Sequence, residues 1–258
     1  MNAVATYGAN IAAAIRTSLM DRTNFLLQSI GMVVNDVFFL VLWYMFFAGF
    51  RRVGSWGLAD VALLLGLIMC IVWISGIFFG GYRDMAATIL RGELDALLTQ
   101  PKVVLVRLLA RESIATAWGD LVMGIWLLAT FAALAWQDVP LVLAVLLCGA
   151  TVYIASATIY ASLAFWFAGA RSFARDLTDF MLLFSSYPGS IYSGATKFVA
   201  YTLLPAGFVV LAPVTFLRDS SAENFAVLLA SACAYGAAAF ILFSIGMRRY
   251  RQGKVVVS

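Results

Sequence analysis

Six long apolar runs, separated by short polar stretches, constrain this chain more than any other feature. They fall at about 25–50, 59–82, 113–136, 140–168, 177–193 and 225–246. A helix needs about 20 mostly apolar residues to cross the hydrocarbon core of a bilayer. A chain of 258 residues with 64% hydrophobic and only 12% charged side chains cannot cover a water-facing surface of ordinary polarity. The sequence therefore predicts an all-α membrane protein of six transmembrane helices, folded as one domain over 1–258.

Lysine and arginine orient the spans. With the N-terminus inside, thirteen of the 17 basic residues fall on the inner side, among them Arg83, Arg91, Arg107, Arg111, Arg171, Arg175, Arg248 and Arg249. Four fall outside: Arg51, Arg52, Lys197 and Arg218. Cytoplasmic loops carry this excess, so both termini are expected in the cytoplasm. The apolar stretch 198–217 is interrupted by Pro205 and Pro213 and follows Tyr187-Pro188-Gly189, so it reads as helical pieces in the outer leaflet. A seventh span there would put the basic C-terminal end outside. This gives an outer re-entrant region over 188–224. At the other end, Tyr7, Ile11, Ile15 and Leu19 recur every four residues, predicting an interfacial helix within 1–24. No basic start and compact apolar core marks a cleavable signal peptide, so the first span is expected to serve as the insertion signal.

Several chemistries are excluded by composition. The chain has no histidine, which removes His-based acid–base catalysis and His-ligated metals. Cys70, Cys148 and Cys233 each lie in an apolar run and form no paired motif, so no metal site is expected. None of the three lysines stands in a phosphate-binding loop; ATP and Mg, if used, belong to another subunit. The net charge of +4 follows membrane orientation and does not call for nucleic acid.

Polar residues inside apolar runs are costly and seldom face lipid. Asn35 and Asp36 lie midway along the first run, Asp120 in the inner part of the third. Asp36 either faces a pathway and meets a charged substrate, or is neutral and locks packing as Asp120 would. No lysine or arginine stands in the middle of a run to pair with them. Gly76 and Gly80, four apart, allow close helix approach, either within the chain or at a dimer seam. Trp73 and Phe79 with Phe180, Phe184 and Tyr187 are candidates for an aromatic substrate pathway, or simply for packing.

The segment 83–112 is the largest predicted cytoplasmic loop. Within it Leu90, Leu94, Leu97 and Leu98 make one apolar face at helical spacing, with Arg91, Glu93 and Asp95 opposite and Pro101 ending the turn. Such a helix lies on its own membrane or inserts into a groove of a cytosolic partner, its two acids being free to meet that partner.

With Arg22-Thr23-Asn24-Phe25 opening the first run, Ile89 through Pro101 in the loop and Trp118-Gly119-Asp120 in the third run, the chain resembles the six-span permeases of type-2 ABC exporters. More narrowly, it resembles the branch with an Arg-Gly-Glu-Leu-Asp loop, a branch of viologen and drug exporters. The resemblance implies that Arg91, Gly92, Glu93, Leu94, Asp95, Leu97 and Leu98 form a coupling helix on a cytosolic ATPase dimer. It implies an elbow helix near the N-terminus and outer re-entrant helices. It also implies a second permease, either the same chain or a paralogue, and export of an amphipathic or hydrophobic small molecule. A stand-alone channel or secondary carrier using Asp36 is the alternative, and an intramembrane enzyme is disfavoured by the lack of a polar constellation.

Overall fold

The computed structural model of the protein describes residues 3–50, 52–98, 103–131 and 136–253. Within them the chain is helical, apart from turns and one isolated bridge between Val53 and Trp56. In order, the helices are α1 (Ala3–Ser18), α2 (Arg22–Gly49), α3 (Leu58–Phe79), α4 (Met85–Leu90), α5 (Asp95–Leu98), α6 (Val104–Leu109), α7 (Ala117–Phe131), α8 (Val139–Ser162), α9 (Ala170–Ser185), α10 (Gly194–Thr202), α11 (Ala212–Arg218) and α12 (Ala222–Arg251).

Four helical stretches are long and apolar enough to cross a membrane: Arg22–Gly49, Leu58–Leu90, Val139–Phe165 and Ala222–Arg251. A fifth is reached if α10 and the segment Gly207–Arg218, bent by 76°, count as one broken span. The bend falls where Pro205 withholds a backbone donor, and Tyr160 donates its hydroxyl to the Leu203 carbonyl there at 2.6 Å. The third and fifth predicted runs look different. Helix α7 has 15 described residues, roughly 22 Å at 1.5 Å per residue, and residues 132–135 lie outside the described set. Helix α9 begins at Ala170 and ends at Ser185, before Pro188, so it starts earlier than the predicted 177–193 and covers only 177–185 of it. It carries Arg171, Arg175, Asp176 and Asp179, which is why an apolar run did not mark its start.

Helix α3 is the hub. Its residues from Val61 to Ile77 are largely buried, and it lies against α7 and α8. Small residues permit the approach. A β-carbon on Gly76 would stand 2.8 Å from Ala117 Cβ, and one on Gly124 would stand 2.7 Å from Cys70 Sγ. One on Gly80 would stand 2.6 Å from the Glu112 carbonyl oxygen, and one on Gly81 would collide with the Leu108 carbonyl oxygen. Gly76 and Gly80 therefore serve contacts within the chain.

Helix α2 is peripheral. Asp21 caps its first turn by accepting from the Asn24 backbone, and Ser29 donates to the Ala115 carbonyl at 3.0 Å. Most of its outer surface, including Leu27, Ile30, Phe38 and Met45, is exposed apolar side chain. Helix α1 docks on the C-terminal end of α3 through Tyr7, whose hydroxyl donates to the Phe78 carbonyl at 2.9 Å. At the opposite end Arg218 pairs with Asp60 at 2.7 Å and stacks over Trp56, while Ser190 donates to Val53. The segments on either side of α3 are thus each tied to it.

Candidate functional site

Two charged regions stand out, one beside the C-terminal end of α12 and one among the helices. The first is the predicted loop, and much of it is not a loop. After the Gly80–Tyr82 turn, α4 continues as Met85–Leu90, and every one of those residues is buried. Nor is 90–101 one helix. Gly92 adopts φ +72°, a left-handed conformation that breaks the helix and costs glycine little. Helix α5 restarts at Asp95; Thr99, Gln100, Pro101 and Lys102 lie outside the described residues.

The break sets the charges. Arg91 donates to Asp84 at 2.8 Å and to Glu93 at 2.6 Å, and Arg111 reaches the other Glu93 oxygen at 3.1 Å. Glu93 is therefore engaged inside the chain, contrary to the expectation that both acids of this segment are free. Arg91 and Arg111, by donating to it, hold its carboxyl below the usual range. Leu94 is fully buried beneath the turn, Leu97 and Leu98 are half-buried, and Asp95 is exposed. Tyr250, near the end of α12, donates its hydroxyl to the Gly92 carbonyl at 2.8 Å, and Arg107 donates to the Leu97 carbonyl at 3.0 Å. The segment is a pinned turn with a short exposed helix on it.

The second region is a cavity of about 380 Å³ between α2, α3, α7 and α9. Its apolar wall is Phe39, Leu65, Ile68, Met69, Val72 and Ile114. Set into that wall are Asn35 and Asp36 from α2, Asp120 from α7, Asp179 from α9, and Tyr82 and Arg83 from the turn after α3. Asp36 and Asp120 are each only 3% exposed. One Asp36 carboxylate oxygen, Oδ2, is buried with no hydrogen-bond partner. Among the described residues none of the three acids, nor Arg83, belongs to a salt bridge. A smaller cavity of about 210 Å³ shares Tyr82, Arg83, Asp179 and Leu182 with the first and adds Arg171 and Arg175.

The structure thus brings Asn35, Asp36 and Asp120 together but distributes the aromatic candidates elsewhere. Tyr187 meets Phe39 and Trp43 edge-on, at 6.3 and 5.8 Å between ring centroids, and so touches the cavity wall from outside. Phe184 stacks on Tyr192 at 5.4 Å. Trp73 packs on Phe78, Phe79 on Tyr7, and Phe180 is 51% exposed. Sequence reasoning missed Asp179 and Arg83. Asp179 had a signal, an acid inside a run assigned to a span. Arg83 was assigned to the inner loop by its position just past a run, and nothing local shows that it lines the cavity.

The family model described as "ABC-2 family transporter protein" matches residues 33–253, nearly the whole chain and both charged regions. Neither the curated proteins nor the solved structures include a match.

Proposed function

Since this multi-pass membrane protein belongs to the ABC-2 transporter family, we propose that it is the permease subunit of an ATP-driven exporter, powered by a separate cytosolic ATPase dimer. Family membership implies association with an ATP-binding subunit, and permeases of this kind are generally non-catalytic. In this reading α5 and the pinned turn from Arg91 to Leu98 sit on the ATPase, and α1 is the elbow helix. Helices α7 and α9 complete six spans, with α10 and α11 re-entrant from the outer side. Both termini face the cytoplasm of a bacterial inner-membrane protein. A second permease, identical or paralogous, closes the pathway, and the exposed apolar surface of α2 is shared between it and lipid. The cargo is an amphipathic or hydrophobic small molecule.

One observation carries the reading: the two charged regions are joined at adjacent residues. Arg83 lines the cavity, while Asp84 pairs with Arg91 in the turn. A displacement of the turn by a partner therefore moves the cavity wall through one peptide bond and one charge-assisted contact. That is a switching element biased by a ligand with different affinity for its two states. ATP binding in the partner would supply the difference.

The test is affinity purification of the tagged chain from native membranes with subunit identification. An ATPase subunit should co-purify. Asp95→Lys combined with Leu98→Asp, both on the outer side of the turn, should reduce its recovery about tenfold or more while the permease stays monodisperse. Unchanged recovery would sink the assignment, as would transport by the purified chain alone, without ATP, in liposomes. The second result would favour a secondary carrier.

A further inference from the structure

Helix α1 does not lie flush against the rest of the chain. Between its second half, the end of α5 and residues 107–113 is a cavity of about 500 Å³, which shares no residue with the two already described. Its wall carries Asn10, Ser18, Arg107, Arg111, Glu112 and Ser113. The volume lies in the ~300–1,000 Å³ range of small-molecule sites.

Two hydroxyls of this wall lack partners. Ser18 Oγ and Ser113 Oγ are both withdrawn from water, and neither forms a hydrogen bond. One comes from α1 and the other from the segment before α7, yet both residues line the same cavity. A serine hydroxyl turns about a single bond, and a buried one without a partner carries a cost that an acceptor in the cavity would relieve.

The arginines set the sign of that acceptor. Arg107 donates from Nη1 to the Leu97 carbonyl at 3.0 Å, and Arg111 donates from Nη1 to Glu93 at 3.1 Å and to Thr88 at 3.5 Å. The other guanidinium nitrogens make no hydrogen bond among the described residues, so each fork keeps donors for an oxyanion. Glu112 limits the charge of that oxyanion. Two guanidiniums against one carboxylate leave a single positive charge in the wall. A phosphodiester carries one negative charge, whereas a phosphate monoester carries about −1.5 to −2 at neutral pH.

The rim is apolar. Val103 and Val106, close to Arg107 along the chain, are exposed, as are Leu19 and Met20, which follow Ser18; Met20 is 82% exposed. Apolar side chains flanking a cationic cavity suit a molecule that joins a phosphate to hydrocarbon.

We propose that this cavity holds the phosphodiester headgroup of a glycerophospholipid, with phosphate oxygens accepting from Arg107, Arg111, Ser18 and Ser113. The acyl chains then run over Leu19, Met20, Val103 and Val106. A lipid seated there joins α1 to the turn around Gly92, because Arg111 reaches both the cavity and Glu93. The site is independent of whether an ATPase drives the chain.

The experiment uses the full chain, delipidated in detergent with any co-purifying subunit left in place, and follows adducts by native mass spectrometry. The probes are dioleoyl phosphatidylglycerol, dioleoylglycerol, which lacks the phosphate, and glycerophosphoglycerol, which lacks the acyl chains. Phosphatidylglycerol should bind saturably, and the other two about tenfold or more weakly. Arg107→Gln should weaken lipid binding about tenfold and Ser113→Ala about fivefold. Arg251→Gln removes the same charge from an exposed position at the end of α12, outside the cavity, and should leave binding unchanged. No saturable binding of phosphatidylglycerol, or equal binding of dioleoylglycerol, overturns the proposal. So does binding of glycerophosphoglycerol or inorganic phosphate as tight as that of the lipid, which would make this a site for a soluble phosphate. Undiminished binding to a folded Arg107→Gln overturns it, as does equal weakening by Arg251→Gln, which would show only diffuse attraction between basic protein and anionic lipid. If Arg107→Gln does not fold, Ser113→Ala and the comparison of probes on the unaltered chain decide.

Discussion

In the turn around Gly92, both Asp84 and Glu93 are held by arginine, at 2.8, 2.6 and 3.1 Å, whereas in the cavity Asp36, Asp120 and Asp179 belong to no salt bridge among the described residues. The paired side chains of the turn are 36–46% exposed, so water already solvates them and each contact adds little to stability. What the contacts do supply is shape: they fix a left-handed Gly92 that Tyr250 clamps from above. Two of the cavity acids, Asp36 and Asp120, are by contrast each only 3% exposed, and burying a carboxylate without a counter-charge is costly. One region uses weak interactions to fix geometry, and the other buries two carboxylates that belong to no salt bridge among the described residues. If the chain works as proposed, the first should be stiff and energetically cheap, the second costly and responsive.

The seam between the regions is where a substitution should do most damage. Gly81 lies in the turn that leads from α3 to Arg83, and the Leu108 carbonyl occupies the space a side chain would need. The obstacle is backbone, which cannot rotate away. Gly81→Ala should destabilise the chain by about 3 kcal/mol, read as a lowered thermal midpoint and loss of the monodisperse fraction in detergent. Tolerance of this change would mean that α6 and the turn are not rigidly joined to the cavity, and the comparison would lose its mechanical link.

The next effect has the opposite sign. Replacing Asp36 by leucine removes one oxygen, Oδ2, that has no donor, at the loss of the hydrogen bond from Asn35, and places apolar surface in an apolar cavity. Asp36→Leu should therefore raise stability by about 1–3 kcal/mol in the absence of cargo, while abolishing transport. A destabilised variant would show that the carboxylate is already satisfied, and the contrast between the two regions would fail on the cavity side.

How much of this could be read from the sequence depends on the range over which each feature is encoded. Helices α2, α3, α8 and α12 were legible because hydropathy over 20 residues is a local property and the bilayer selects for length. The bend at Pro205 was legible because a missing donor is a property of one residue. The break at Gly92 was masked by the leucines around it. Leu90, Leu94, Leu97 and Leu98 satisfy a helical period, yet Leu94 reaches the interior from a turn and not from a continuous helix. Helix α9 was displaced because its burial is one-sided: Ala170, Ala174, Leu177 and Met181 face inward while four charged residues share the same helix. The convergence of Asp36, Arg83, Asp120 and Asp179 spans three helices and a turn, and no periodicity in one segment encodes it. Asp36 and Asp120 were visible singly as acids in apolar runs; their company was not.

The smallest effect tests the other side of the comparison, through pH. Glu93 is held below its ordinary range, first by the hydrogen bond from Arg91 and then by that from Arg111, and Arg91 is raised by the same contact. A carboxyl that binds its proton less readily when folded makes the unfolded chain the better proton binder. Its contribution to stability is therefore complete above the unfolded value of about 4.3 and is lost as pH falls through the lower folded value. The appropriate reference is Glu93→Gln, which keeps the shape and cannot titrate. The difference in thermal midpoint between the unaltered chain and this variant should be small and constant from neutral pH down to about 5, and should shrink below that. Added salt should shrink it further at every pH, because the partners are exposed. A difference that grows on acidification would mean that Glu93 prefers its neutral form in the folded turn, and that the arginines do not set the geometry around Gly92.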